Sequence, residues 1–455
     1  MTRNAIRRST FITTIAMCLG SVTFTGQLTA QNLVSAQEDS PTFSKDIAPI
    51  FYAKCVRCHR PGEVAPMSLI TFRDVRPWAR AIQEKVTTRE MPPWHADRQY
   101  GTFRNDLSLT QPEIETIVSW TMTGAHEGNP VDLPPRPTFP EGWQIGIPDM
   151  VFEMPVEYHV PATGTVDYQH FEVPTNFTED RWMQAGEARA GDRAHVHHIV
   201  MYIRDPQART RPRVLSVKPL FPSGDKPTPP VRPRSSEAGT RSRPSGGDAM
   251  LVNWAVGEDA PIHAPGTAKL IPAGSTLIFQ VHYTTDGEPG VDRSRFGLIF
   301  ADEPPEHEVR TGAIANPLFE LPPGARNHKV EAEATFSADV KVWTMHPHMH
   351  LRGKDMTYTA IFPDGRREIV LSVPNFDFGW QTDYWLAQPL ALPKGSKLLI
   401  SAHFDNSVSN RANPDPSATV RWGDQTWEEM MIGFITYTVD AHEPAQYAST
   451  ARLVQ

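Results

Sequence analysis

Three residues near the N-terminus have the types and spacing of a haem attachment site. Cys55, Cys58 and His59 form a C-x-x-C-H motif, in which two thiols make thioether bonds to a porphyrin and the histidine becomes an axial iron ligand. The third cysteine of the chain, Cys18, lies in a segment that we expect to be removed. A zinc or redox C-x-x-C is the alternative, but structural zinc needs further ligands and no second cysteine pair exists in the sequence. We therefore predict covalently bound haem c.

The sixth iron ligand is expected from the opposite wall of the haem pocket. Met91 is the best candidate, because the Met-Pro-Pro-Trp run that it begins lies ahead of the last predicted helix of this region. A thioether ligand raises the haem potential, which suits electron transfer. Met67 and His95 remain alternatives, and each would otherwise be a packing or surface residue.

Seven of the 17 histidines lie in three short, strand-like segments. Imidazole is the commonest protein ligand of copper and zinc. Residues two positions apart on a strand share one face and can bind one ion, whereas an adjacent pair needs a bulge or a strand end to converge. A surface or hydrogen-bonded role is the ordinary fate of a single histidine, but it explains three clusters poorly. The clustered histidines are His195, His197, His198, His282, His346, His348 and His350.

These histidine segments belong to a longer ordered pattern. The runs HHIVMYI, FQVHYTTDG, HPHMHLRGKDM and WEEMMIGFITY follow one another between about residues 140 and 440. In this order they resemble the copper type II, ascorbate-dependent monooxygenases, the family of peptidylglycine α-hydroxylating monooxygenase and dopamine β-monooxygenase. The resemblance implies two packed antiparallel β-sandwich (jelly-roll) domains, each of which holds one copper ion.

The resemblance also implies different roles for the two copper sites. One is an all-histidine site that transfers electrons, and the other is the catalytic site where oxygen binds. A sulfur ligand at the second site fits this division, because a soft thioether favours Cu(I). The implied ligands are His197, His198 and His282 at the first site and His348, His350 and Met430 at the second.

Met430 is the implied ligand with the strongest competing explanation. Packing inside a strand is the commoner fate of a methionine, and the neighbouring Met431 is an alternative ligand one position away. Met430 follows Glu428 and Glu429 at the position that the resemblance assigns to the ligand, and the resemblance therefore favours it.

This chain lacks the substrate-binding residues of the peptide-amidating family member. The resemblance aligns an arginine with His346, and an asparagine and a tyrosine with Ile432 and Phe434. Without these carboxylate-binding groups we expect a small organic substrate that is less polar than peptidylglycine. The animal members are rich in disulfides, whereas the predicted sandwiches contain no cysteine.

Helical and strand signals divide the chain into parts. Residues 41–129 carry the helical signals, including a capping box ahead of the last helix, and predict a small all-α cytochrome c-like domain. Short alternating strands follow a proline-rich joint and predict two antiparallel β-sandwiches, at 141–303 and 304–445. Residues 205–248 are rich in Pro, Arg, Ser and Gly and predict a surface loop within the first sandwich.

The N-terminus has the features of an export signal. Residues 1–36 begin with a basic region, continue with an apolar stretch and end in small residues that suit cleavage after Ala36 or, less well, Ala30. A membrane anchor is the alternative, but the stretch is short for the ~20 residues that span a bilayer. We expect a periplasmic or secreted mature chain without a membrane span. The net charge of −8 gives no reason to expect nucleic-acid binding.

Together these motifs predict an exported copper-dependent monooxygenase that hydroxylates a C–H bond of a small substrate with O2. The fused haem domain predicts that electrons pass through its own haem, from an ascorbate-like reductant or a periplasmic redox protein. One alternative is a non-catalytic haem and copper electron-transfer or copper-binding protein. Another is a protein with zinc in the histidine sites. Such a protein could not carry out the hydroxylation, because zinc has no redox chemistry.

Overall fold

Strands in several sheets form most of the regular secondary structure of the described chain, and its few helices lie ahead of the first strand. At this level the structure agrees with the predicted β-sandwich class. The predicted export segment, 1–36, and the end of the predicted second sandwich, 440–445, lie outside the described residues. The structure, a computed structural model, describes residues 40–63, 65–139, 142–206, 214–221, 249–255 and 258–439.

The helical segment has an apolar core of its own. Phe43, Ile47 and Phe51 are buried and pack in one cluster with Ile117 and Trp120. Among the described residues, no helix has the length and apolarity needed to cross a bilayer. The helical elements are a π-helical turn at Phe43–Ile47, α1 (Ala48–Lys54), α2 (Phe72–Val75), a 3₁₀ turn at Arg76–Trp78, α3 (Ala79–Thr87), α4 (Gln111–Met122) and a 3₁₀ turn at Pro130–Asp132.

Helix α4 begins and ends at its sequence signals. The Thr110 hydroxyl accepts a hydrogen bond from the backbone N–H of Glu113, and the Glu113 carboxylate accepts one from the Thr110 N–H. Both halves of the predicted capping box are therefore present. Gly124 follows the helix with a φ of +109°, a left-handed conformation that glycine adopts without steric cost.

The rest of the described chain folds into 21 strands. Several alternate buried and half-buried side chains, as one-sided strands of a sandwich must. The first eleven are β1 (Met150–Glu153), β2 (Tyr158–Val160), β3 (Gln169–Pro174), β4 (Arg181–Arg189), β5 (Val196–Arg204), β6 (Leu215–Leu220), β7 (Ala249–Ala255), β8 (Thr267–Ile271), β9 (Thr276–Tyr283), β10 (Gly290–Asp292) and β11 (Arg295–Phe300). The remaining ten are β12 (His307–Ala315), β13 (Glu320–Leu321), β14 (His328–Phe336), β15 (Val340–His348), β16 (Gly353–Ile361), β17 (Arg367–Val373), β18 (Tyr384–Leu392), β19 (Lys397–Phe404), β20 (Val420–Arg421) and β21 (Ile432–Val439).

Three large sheets form two layered cores. An eight-stranded sheet runs in the order β1-β11-β4-β8-β12-β21-β15-β18. The four-stranded sheet β3-β9-β5-β7 packs on its first half, and the five-stranded sheet β17-β16-β19-β14-β6 packs on its second half. The parallel pair β8 and β12 joins the two halves. The two sandwiches therefore share one continuous sheet.

A buried lysine crosses the seam between the sandwiches. Lys269 of β8 donates from Nζ to the Leu251 carbonyl at 2.5 Å and to the Thr311 hydroxyl at 2.8 Å, and Thr311 belongs to β12. Burial lowers the pKa of Lys269 to about 8, although the Asp383 carboxylate acts in the opposite direction. The ammonium group satisfies polar groups from both halves of the molecule.

The predicted surface loop at 205–248 was wrong for one described stretch. Residues 215–220 form β6, which pairs with β14 along the edge of the five-stranded sheet. An edge position tolerates Pro219, which has no N–H to donate to a neighbouring strand. The strand therefore belongs to the second sandwich, although it lies in sequence within the first. Residues 207–213 and 222–248 lie outside the described part of the chain.

The connection between α3 and α4 contacts the second sandwich. The Arg104 N–H donates to the Trp385 carbonyl at 2.9 Å, and the Ala387 N–H donates to the Thr102 carbonyl at 2.8 Å. Phe103 also packs against the apolar core of that sandwich. The helical segment is thus joined to the strands by backbone hydrogen bonds as well as by the chain itself.

Candidate metal centres

Three imidazoles from two adjacent strands converge in the first sandwich. His198 of β5 and His282 of β9 are register partners, and a register shift between Val196 and His198 brings in the adjacent His197. The ring centroids are 5.0 to 5.3 Å apart. One nitrogen from each ring lies within 4.8 Å of the other two. We call this group the histidine pocket.

Contacts around the histidine pocket leave nitrogen lone pairs facing inward. The Tyr168 hydroxyl lies 3.3 Å from His198 Nε2, so it can accept the ring proton there and leave Nδ1 free. His197 Nδ1 lies 2.9 Å from His198 Nδ1. His282 Nδ1 is buried, and no described residue forms a hydrogen bond with it. Converging nitrogens that include a buried unpartnered atom fit a copper or zinc ion.

Burial keeps these imidazoles neutral. Burial, and next the neighbouring His197, lowers the pKa of His282 to about 3. The pKa of His198 lies well below its usual value for the same reason, with His282 as the next cause. Neutral imidazole is the form that ligates a metal, so binding near pH 7 displaces no proton from these rings.

A second pair of imidazoles lies at the end of β15, beside the start of β21. The register pairs His348 with Ile432. His350 lies two residues beyond the end of β15, and Met430 lies two residues before the start of β21. Opposed residues of an antiparallel pair share one face. Met431 has the opposite parity and is fully buried in the core of the second sandwich. The fold therefore separates the two methionines, and we call His348, His350 and Met430 the methionine pocket.

Hydrogen bonds select the nitrogen that each ring of the methionine pocket presents. His348 Nδ1 lies 2.6 Å from Gln381 Oε1, and His350 Nδ1 lies 3.2 Å from the Glu428 carbonyl. Both partners accept, so both Nδ1 atoms carry the ring proton and both Nε2 atoms keep a lone pair. Burial lowers the pKa of His350 to about 4, so this ring is neutral near pH 7.

A buried polar network holds the chain immediately before Met430. The Glu429 carboxylate accepts from the backbone N–H of His350 at 2.8 Å and of Arg352 at 2.6 Å. Arg352 in turn donates from Nε to Asn406 at 2.9 Å. Burial raises the pKa of Glu429 to about 8, against the two N–H donors and the guanidinium, which lower it. The network ties the ends of β15 and β21 together.

One aromatic ring lies between the two pockets. The centroid of Phe378 is 6.2 Å from the ring of His197, 6.3 Å from that of His282 and 5.8 Å from that of His350. The pockets are therefore close neighbours that share an apolar wall. The sequence analysis assigned no role to Phe378, because neither its type nor its spacing distinguishes it from other phenylalanines.

The haem motif follows α1 at the edge of the helical core. Cys55 and Cys58 are both half-buried free thiols, and burial raises the pKa of each. His59 Nδ1 lies 3.2 Å from the Met67 carbonyl, which accepts the Nδ1 proton and leaves Nε2 free. A free Nε2 beside two free thiols fits the donor set that haem c attachment requires.

The candidates for the sixth iron ligand have different surroundings. Met67 packs against the helical core and offers its carbonyl to His59, so it lies on the His59 side of the motif. Met91 precedes a cis peptide bond, is half-buried, and donates its N–H to the Lys85 carbonyl. His95 is half-buried, and burial lowers its pKa. Met91 stays the prediction, and the contacts of Met67 make that residue the weaker alternative.

His195 is clustered with the pocket histidines in sequence but has separate partners. Its Nδ1 lies 2.7 Å from an Asp192 oxygen and its Nε2 lies 3.1 Å from an Asp286 oxygen. Burial lowers the pKa of His195, but hydrogen bonds and the two carboxylates raise it further, so the net shift is upward. Both ring nitrogens are occupied, so His195 fastens loops beside the pocket.

Comparisons with known proteins yield little likeness. No protein-family model matches the chain, and no curated protein matches it. Among solved structures, an allantoicase shares 9% identity over 55% of this chain and 79% of that chain, with a TM-score of 0.16. A Saccharomyces cerevisiae allantoicase shares 8% identity over 55% and 80%, with a TM-score of 0.16. An infectious bursal disease virus structure of the Gx strain shares 11% identity over 65% and 72%, with a TM-score of 0.18. Likenesses this weak carry no argument about function.

Proposed function

We propose that this protein is an exported copper-dependent monooxygenase of the copper type II class. It would hydroxylate a C–H bond of a small, weakly polar organic substrate with O2. The observation that carries the proposal is the presence of two different donor sets in one molecule. The histidine pocket has nitrogen donors alone. The methionine pocket has two neighbouring imidazoles, and the proposal adds the Met430 thioether, just before β21, as their third donor. Such a difference suits one site that passes an electron and one site that meets oxygen.

Copper, when bound, supplies one-electron redox chemistry, and the Met430 sulfur favours its reduced form. The protein supplies orientation. Gln381 and the Glu428 carbonyl hold the imidazole protons on the outer nitrogens, so both inner nitrogens remain donors. Phe378 places an apolar ring against both pockets.

The surroundings of the methionine pocket support a weakly polar substrate. The Phe434 ring lies 6.1 Å from the His348 ring, and Ile432 is the register partner of His348. Apolar side chains at these two positions offer no hydrogen bond to a carboxylate. Substrate binding would then depend on burial of apolar surface, with the reacting C–H bond held beside the pocket.

We also propose that the helical segment is a c-type cytochrome that supplies electrons to the pockets. Two ion pairs support this role, because they hold the haem motif against the first sandwich. Arg57, inside the motif, pairs with Asp259 at 2.9 Å, and Glu63 pairs with Arg193 at 2.6 Å. Electron transfer needs close approach, and these contacts oppose free tumbling of the helical segment.

Oxygen consumption tests the proposed activity. The full-length protein, loaded with copper and haem, is screened against small organic substrates with a reductant present. We expect O2 uptake in a one-to-one ratio with hydroxylated product. A protein that reduces and reoxidises its haem and copper but takes up no oxygen with any substrate would instead be an electron carrier. Metal analysis decides between copper and zinc.

Stopped-flow kinetics tests the electron route. Reduced haem should reoxidise faster with copper and O2 than in copper-free protein. Arg57→Ala should slow this reoxidation several-fold, because it removes the ion pair with Asp259. Arg80→Ala, at an exposed position of α3, is the matched control and should leave the rate unchanged. Equal rates with and without copper would refute the relay and leave the hydroxylation test unaffected.

A further inference from the structure

A third group of metal-ligating side chains lies outside both pockets. Glu258, His346 and Asp383 each offer one ligand atom, and these atoms all lie within 4.8 Å of one another. The three residues come from separate places in the fold. Glu258 follows β7 in the first sandwich, His346 lies in β15, and Asp383 immediately precedes β18. Neither the helical segment nor the two pockets use any of these side chains.

The polar atoms of this group are close together but poorly paired. His346 is 5% exposed, and its Nδ1 lies 3.1 Å from Asp383 Oδ1 in an orientation that forms no hydrogen bond. Glu258 Oε1 accepts from the Asp383 N–H at 2.6 Å, while Oε2 is buried, with no hydrogen-bond partner among the described residues. Buried polar atoms without partners are costly, and a bound ion is one recognised reason for them.

Two simpler explanations account for less of this geometry. A hydrogen bond between His346 and Asp383 would satisfy Nδ1, but the observed orientation does not form one. A proton shared between the two carboxyl groups would offset one charge, but it would leave His346 Nδ1 unpartnered. A cation with ligand distances near 2.0 to 2.2 Å separates its donors by roughly 3 to 4 Å, so donors this close can share one.

We propose that Glu258, His346 and Asp383 form a third metal site that binds a divalent cation such as zinc. One imidazole and two carboxylates are ligands that zinc accepts, and the two negative charges balance the ion. Because zinc has no redox chemistry, the role of the site would be structural. This proposal rests on the geometry of the three residues and not on the proposed oxygenase activity.

Glu258, His346 and Asp383 lie where a bound cation would connect separate parts of the fold. Glu258 belongs to the first sandwich and His346 to the second, so one ion would join them directly. Asp383 also accepts at its carbonyl from Asn105 Nδ2 at 2.7 Å, and Asn105 belongs to the connection between α3 and α4. The ion would therefore fasten the point where the helical segment and both sandwiches meet.

Zinc content of the full-length protein tests the proposal. Wild-type protein and His346→Gln are stripped with a chelator, equilibrated with micromolar zinc and analysed by plasma mass spectrometry. The pockets can also take zinc, so the measured quantity is the difference between the two proteins. We expect His346→Gln to bind one equivalent fewer per chain and to lose part of the zinc-induced rise in Tm. Equal zinc content in the two proteins would overturn the proposal.

Further variants separate loss of the site from disturbance of its neighbours. His263→Gln is the matched control, because His263 is also a buried histidine with an unpartnered nitrogen, and it should keep the full zinc content. Asp383→Asn should lose the same single equivalent, and it replaces His346→Gln if that variant fails to fold. The double variant that combines His346→Gln with Asp383→Asn should lose one equivalent of zinc, not two. Loss of two, or loss in His263→Gln, would mean that the substitutions act on the nearby pockets, and the third site would be rejected.

Discussion

The histidine pocket and the methionine pocket orient their imidazoles in different ways. In the histidine pocket, Tyr168 holds Nε2 of His198, and the inward-facing atoms are Nδ1 atoms. In the methionine pocket, Gln381 holds Nδ1 of His348, and the inward-facing atom is Nε2. The two pockets are built on the same kind of strand pair, yet they present opposite ring edges.

This difference shows that hydrogen bonds to residues around each pocket determine which ring nitrogen faces inward. A weak 3.3 Å contact to a phenol leaves the histidine pocket dependent on ring packing, including the stacking of Tyr168 on His282 at 4.8 Å. A 2.6 Å bond to an amide gives the methionine pocket a stronger constraint. We therefore expect substitutions of outer residues to affect the methionine pocket more.

The largest expected effect comes from the Met430 sulfur, which the proposed function makes a copper ligand of one pocket only. Met430→Leu keeps the volume of the side chain but removes the thioether, so turnover should fall more than about 100-fold, since even outer-shell substitutions cost 10 to 100-fold. Copper in the histidine pocket and the haem spectrum should be unchanged. Product formation and copper spectroscopy on the same sample measure both effects.

Met431→Leu is the control for this substitution. Met431 is buried in the core, so the change should cost less than about 1.5 kcal/mol in stability and leave turnover close to that of the wild type. If Met431→Leu abolished turnover and Met430→Leu did not, the assignment of the two methionines would be reversed.

The next largest effect concerns the outer hydrogen bond of the methionine pocket. Gln381→Leu removes the acceptor for His348 Nδ1, so the ring can place its proton on the inward nitrogen. Copper affinity of this pocket should fall roughly 10 to 100-fold, with little change at the histidine pocket. Competitive chelator titration measures it. Gln388→Leu, on an exposed position of β18, should have no effect, and equal losses in both variants would exclude an orienting role for Gln381.

Local sequence signals were sufficient to predict much of this molecule. The capping box at Thr110 and the strands that carry His198 and His282 depend on residues close together in the chain, and the structure contains each of them. The sequence also predicted that the adjacent histidines need a bulge or a strand end, and β5 has a register shift at that point. Patterns of this kind are readable because their causes lie within a few residues.

The features that the sequence did not predict depend on contacts between residues far apart in the chain. Gln381 lies 33 positions from His348, and no periodicity links the two. Strand β6 lies in a polar, proline-containing stretch whose composition is typical of a loop, and only the open edge of β14 makes it a strand. The third group of ligands joins Glu258 to Asp383 across the seam, and no local pattern predicts that meeting.

A smaller effect is expected from the outer contact of the histidine pocket. Tyr168→Phe keeps the ring that stacks on His282 but removes the hydroxyl beside His198 Nε2. Copper affinity of the histidine pocket should fall only a few-fold, because the lost contact is long and packing persists. Tyr158→Phe, whose ring stacks on Tyr283 away from the pocket, is the control. The comparison predicts that the histidine pocket depends less on its outer hydrogen bond than the methionine pocket does. A fall in copper affinity as large as that expected for Gln381→Leu at the methionine pocket would contradict it.

The smallest expected effect concerns Lys269, which lies at the seam between the two sandwiches that carry the pockets. Lys269 has a pKa of about 8 in the folded protein and 10.5 as its ordinary value, so between these values the unfolded chain binds more protons. The free energy of unfolding should therefore rise with pH through this window, with a contribution of about 1 kcal/mol per pH unit near pH 9. Lys269→Met removes this contribution. Denaturant titrations at several pH values measure the slope in both proteins.

Other groups also titrate in this window, so the informative quantity is the difference in slope between wild type and variant. Lys218→Met provides the comparison, because Lys218 is exposed on the edge strand β6 and should retain the wild-type slope. If Lys269→Met also retained that slope, the ammonium would not be destabilised by burial. The hydrogen bonds to Leu251 and Thr311 would then compensate fully for the loss of water around the charge.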